Sequence, residues 1–153
     1  MGMDVFGRKP TSPEGEYFRR NVWGWHPLAQ LCERAAPYIT ADCEHWHSND
    51  GDGLDASGAA KLAERLQLLI ADGSVAAYVK RRDAELAQLP DQTCVCCDGT
   101  GMRRGTTGND RADCLECDGK GKQENFARRY RLRRHDVEAW VAFLQACGGF
   151  EIF

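Results

Sequence analysis

The sequence has no apolar run near the roughly 18 residues that a membrane-spanning helix needs, so no membrane partner is expected. Its opening stretch, MGMDVFGRKPTSPEGEYF, lacks the apolar segment of a secretory signal. The expected compartment is therefore the cytoplasm, where thiols stay reduced. Positive charge is not in surplus. The net charge is −3, which excludes a chain that is a polycation throughout. Low-complexity tracts are missing, and so are the G-x-S-x-G, Walker and H-E-x-x-H patterns that would announce a reaction.

What is present suits a soluble globular protein: 153 residues, 42% hydrophobic and 28% charged. Residues 1–22 are polar and read as an extended lead-in ending in a short helix near 16–21. Leu28, Leu31, Cys32 and Ala35 then recur at helical spacing, with Pro27 suited to the first helical position and Pro37 to the end. A loop at 47–53 precedes a second helix, capped by Asp55 or Ser57. Its apolar face is Ala59, Leu62, Ala63, Leu66, Leu69 and Ile70, and Gly73 follows as a stop. A third helix starts at Ser74 with Val75, Tyr78, Val79, Leu86 and Leu89 inward, and Pro90 ends it. Phe126, Arg128, Tyr130 and Leu132 alternate with Ala127, Arg129, Arg131 and Arg133, which predicts a strand with an arginine-rich face. Val137, Trp140, Val141 and Leu144 return to helical spacing between Asp136 and Gly148, and FEIF reads as a last short strand.

Eight cysteines in a reducing compartment call for something other than disulfides. Cys32, Cys43 and Cys147 are scattered and read as small buried hydrophobes. The other five crowd into CVCCDGTG at 94–101 and CLECDGKG at 114–121, each reading C-x-x-C-D-G-x-G. Two C-x-x-C turns facing one another place four sulfurs at the corners of a tetrahedron about 2.3 Å from a zinc ion. The glycines supply positive-φ backbone and N–H groups aimed at sulfur. The expected ligands are Cys94, Cys97, Cys114 and Cys117, holding one Zn2+ per chain. Cys96 has no counterpart in the second unit, where Glu116 stands, and is expected to be no ligand. A redox pair or an iron–sulfur cluster is the competing reading.

The doubled C-x-x-C-x-G-x-G resembles the cysteine-rich zinc domain of DnaJ-type chaperones. That domain carries four copies and two zincs, so two copies here imply one zinc. The resemblance covers about residues 94–121 and implies a twisted β-hairpin pinned by the metal and used for contacts with other proteins. It stops there: WHPLA at 25–29 lacks the aspartate of the J-domain's His-Pro-Asp.

The expected fold is α+β, a helical core with an inserted, DnaJ-like, single-zinc hairpin. Its parts are a mainly helical region at 1–92, the hairpin at 93–124, and a strand and helix at 125–153 packing back on the helices. Charge is polarised along the chain, with net +5 between Gly99 and His135 against −4 over the first 93 residues. Arg103, Arg104, Arg111, Arg129, Arg131 and Arg133 are therefore candidate partner-binding residues. The leading expectation is a zinc-binding protein-interaction or adaptor module without catalysis. A nucleic-acid-binding regulator using the arginines is the second reading. The third is a hydrolase-like enzyme built on Cys43, His45, His47, Asp50, Asp52 and Asp55. The calcium-loop template fails over that stretch, because its twelfth position is Ala59.

Overall fold

The computed structural model describes residues 2–104 and 111–153. The chain divides into two compact units, one of Met1–Asp83 with Tyr130–Phe153 and the other of Ala84–Arg129. Helices and small sheets together make the fold α+β.

The first unit is built on a three-stranded antiparallel sheet in the order β2-β1-β7, from β1 (Gly2–Gly7), β2 (Tyr17–Asn21) and β7 (Phe150–Ile152). Met3 and Val5 alternate inward on β1, Phe18 on β2, and Phe150 and Ile152 on β7. The expected helix at 16–21 is thus a strand. Its alternation spans only five residues, and what fixes it is pairing with β1, from Phe6↔Tyr17 to Gly2↔Asn21.

Five helices complete this part of the chain: α1 (Val22–Ala35), α2 (Pro37–Thr40), α3 (Ala56–Ala71), α4 (Ser74–Ala87), through which the unit boundary runs, and α5 (Arg134–Ala146). Helix α1 starts earlier than Pro27 suggests, because the Asn21 side chain accepts a bond from the Gly24 N–H and caps it. Pro27 lies inside the helix, where its ring nitrogen has no N–H to give to the helical ladder. The caps expected at Asp55 and Gly73 are in place, the first accepting from the Gly58 N–H at 2.7 Å and the second at φ +84°. Asp136 is not the cap of α5. It sits one turn in and accepts from the Arg133 N–H.

The core is aromatic at its centre. Trp140 stacks on Phe143 at 5.1 Å between centroids, and Trp25, Phe18 and Phe150 meet it at 5.4, 4.9 and 5.3 Å. Cys32, Cys43 and Cys147 are buried in this core as expected. Burial pushes the Cys32 thiol up to about 12.

The strand expected at 126–133 does not form. Phe126–Arg129 is a 3-10 turn, followed by irregular chain up to α5. The Asn125 side chain accepts from the Ala127 N–H and the Asn125 carbonyl from the Arg128 N–H. These local bonds satisfy backbone groups that a strand would have had to pair with a neighbour. Among the described residues no helix is long and apolar enough to cross a membrane.

Candidate metal centre

The second unit carries two nested antiparallel pairs. β3 (Gln92–Thr93) pairs with β6 (Lys122–Gln123), and β4 (Met102–Arg104) pairs with β5 (Arg111–Asp113). A C-x-x-C turn runs from β3 to β4, and the other runs from β5 to β6.

The two turns are built alike. Asp98 and Asp118 both have φ +50°, Gly99 and Gly119 follow at +79° and +74°, and Gly101 and Gly121 at +73° and +68°. The Gly99 N–H donates to the Cys94 carbonyl and the Gly119 N–H to the Cys114 carbonyl. The turns then clasp each other: the Cys94 N–H donates to the Gly121 carbonyl at 2.9 Å, and the Cys114 N–H to the Gly101 carbonyl at 2.8 Å. The last glycine of each motif is required twice over, by its left-handed backbone and by space. A Cβ on Gly101 would lie 2.2 Å from the Gly119 carbonyl oxygen, and one on Gly121 the same distance from that of Gly99.

This frame gathers four buried sulfurs. Cys94, Cys97, Cys114 and Cys117 have Sγ atoms all within 4.8 Å of one another. The Cys94–Cys114 separation is 3.9 Å and that of Cys97–Cys117 is 3.8 Å. A disulfide needs about 2.05 Å, so neither pair is bonded. Sulfurs about 2.3 Å from one tetrahedral ion lie about 3.8 Å apart, close to these two separations. The Gly101 N–H donates to Cys97 Sγ and the Gly121 N–H to Cys117 Sγ, both at 3.3 Å, where they offset thiolate charge. Desolvation opposes ionisation at Cys97, but the Gly101 N–H and the neighbouring thiols outweigh it and draw that thiol down to about 7. Desolvation pushes Cys94 up to about 12. The four cysteines form a cluster that can hold a metal ion, and among the described residues no other such set exists. Cys96 lies outside it and is exposed.

The candidate arginines are spread over both units. Arg103 and Arg129 belong to the second unit and are exposed, whereas Arg131 and Arg133 belong to the first and are also exposed. Arg129 lies over the Phe126 ring at 5.2 Å. Without a strand at 126–133, Arg129, Arg131 and Arg133 do not form one row. Arg104 and Arg111 face each other in the β4–β5 register, and their side chains and residues 105–110 of the expected hairpin lie outside the described residues. Arg128 is tied to Asp91 at 3.0 Å and to the Leu89 carbonyl, at the base of the second unit.

The loop at 43–55 is organised around its own backbone. The Asp52 carboxylate accepts from the N–H groups of Glu44 (2.6 Å), His45 (3.0 Å) and Gly53 (2.7 Å). Trp46 is buried and donates its indole N–H to the Thr40 carbonyl, while its own carbonyl accepts from Trp25. Ser48 bonds Asp50, and Asp55 caps α3. Sequence reasoning missed one association: His26 on α1 meets His47 with Nδ1 atoms 2.8 Å apart, and His47 reaches Glu33 at 3.3 Å. A histidine at position 26 has no visible link to one at 47 until α1 and the loop are packed.

Compared with known proteins, the chain matches no family model, no curated protein and no solved structure.

Proposed function

We propose that Cys94, Cys97, Cys114 and Cys117 hold one zinc ion, and that the pinned double hairpin is a DnaJ-like protein-interaction module without catalysis. One observation carries the interaction reading. Val95 and Leu115 occupy the same place in the two C-x-x-C turns, and both point outward, 73% and 87% exposed. A small unit that spends two of its few apolar side chains on solvent presents them to something else. Zinc is favoured by the all-thiolate donor set and the close spacing of the sulfurs, and ligands that must stay reduced support a reducing compartment such as the cytoplasm.

Metal analysis of the purified protein should find one zinc per chain. Two zincs, or the visible absorption of iron and sulfide, would defeat the reading. Capture of partner proteins by the wild type should be lost in Val95→Ser with Leu115→Ser, and in Cys114→Ser. Capture that survives the surface pair but falls steeply with salt would favour the arginines and nucleic acid.

A further inference from the structure

The first unit has a groove of about 420 Å3 bounded by α1, α3 and the start of α4. This volume is in the range of small-molecule sites. Its floor is apolar, formed by Leu31, Ala35, Leu69 and Val75, and its rim carries Arg34, Arg65 and Arg81. No carboxylate lines it among the described residues. The nearby Asp72, which feels the Arg65 charge, is turned to Ser74 and accepts its N–H at 2.8 Å.

The three guanidiniums have separate supports. Tyr78, half-buried in the groove, lies under Arg34 at 5.9 Å and under Arg81 at 5.7 Å, so one ring steadies two cations. Arg65 donates its Nε to the Ala35 carbonyl, at the C-terminal end of α1. Capping that helix end accounts for one nitrogen of Arg65 and for nothing of Arg34. In a chain of net charge −3, three arginines gather around an apolar hollow that no carboxylate lines, and Arg34 forms no ion pair among the described residues.

We propose that this groove binds a small amphipathic anion. Its apolar body lies on Leu31, Leu69 and Val75, and its oxyanion head is taken by Arg34, Arg65 and Arg81. Guanidiniums fit planar or tetrahedral oxyanions in paired hydrogen bonds, so carboxylate, sulfonate and phosphate heads share the chemistry. The apolar floor excludes a bare inorganic ion as the full ligand, since it would leave that surface wet. This site is independent of the metal centre.

The test uses the full chain and anilinonaphthalene sulfonate, which joins an apolar ring system to one anionic head. Its neutral counterpart, N-phenylnaphthylamine, is the control. The dye should saturate a single site, and its affinity should fall about tenfold or more in Arg34→Gln with Arg81→Gln, the loss expected for charge-assisted bonds. Helical circular dichroism should not change. Ala77→Trp, which fills the groove and keeps every charge, should also abolish binding. Decanoate, decyl phosphate or both should displace the dye where decanol does not, and the stronger competitor identifies the head group. Equal affinity for the neutral compound, or unchanged affinity in the double variant, would overturn the proposal. So would displacement by an acidic amphipathic peptide when both amphiphiles fail, which would assign the groove to a protein segment.

Discussion

The buried cluster of the unit at 84–129 consists of Cys94, Cys97, Cys114 and Cys117 alone among the described residues. The buried cluster of the other unit runs from Met3 to Ile152 and is centred on Trp25, Trp140, Phe143 and Phe150. The second unit therefore has almost no apolar burial of its own. The unit is little longer than the roughly 40 residues below which chains rarely stabilise themselves by burial and need metals or disulfides. The first unit has an extensive buried core of its own and is expected to need neither.

The largest effect should come from removing the metal. In small zinc modules metal binding and folding are one process, with apparent energies of about 10–16 kcal/mol. Chelation, or Cys114→Ser, should abolish amide protection over residues 94–104 and 111–121. The helical circular dichroism of α1, α3 and α5 should remain. A complete loss of helical signal on chelation would show that the two units fold as one.

The reverse perturbation is Trp140→Ala. Trp140 is fully buried and touches Phe18, Trp25, Phe143 and Phe150, so the substitution should cost about 3–5 kcal/mol. Denaturant titration measures that cost, and metal stoichiometry under native conditions should be unaltered. A variant that also releases its metal would break the comparison from the other side.

The metal cluster and the four longer helices, α1, α3, α4 and α5, were legible in the sequence for a physical reason. C-x-x-C geometry, capping and helical periodicity are local, set within about eight residues. Of the sheet only β7 was, read from FEIF; β1 and β2 were not, because they are short and the sheet pairs Val5 with Ile152 across almost the whole chain. Alternation at 126–133 misled because apolar spacing of two needs a partner strand, whereas Asn125 offers the backbone a local turn instead. The groove arginines were invisible for the same reason as the His26–His47 contact: Arg34, Arg65 and Arg81 share a face only once three helices pack.

The smallest effect tests whether the first unit contains any polar clamp comparable to the sulfur cluster. A candidate is Asp52, whose carboxylate gathers the N–H groups of Glu44, His45 and Gly53. Partial burial opposes its ionisation, but those N–H bonds prevail and hold its carboxyl below the usual carboxylate range. A group whose folded pKa is depressed contributes stability above its unfolded pKa, about 3.9 for aspartate, and loses it as pH falls through the folded value. Asp52→Asn keeps the shape but removes the charge and one of the two accepting oxygens, so it should cost about 1.5–3 kcal/mol at neutral pH, the value of hydrogen bonds to a charged group. The gap between wild type and variant should close on acidification below about pH 4. Chemical denaturation at several pH values reads both, with metal content as the control. A gap that stays constant down to pH 2 would mean that the carboxylate's charge is idle and that loop 43–55 is held by Trp46 and Leu54 alone.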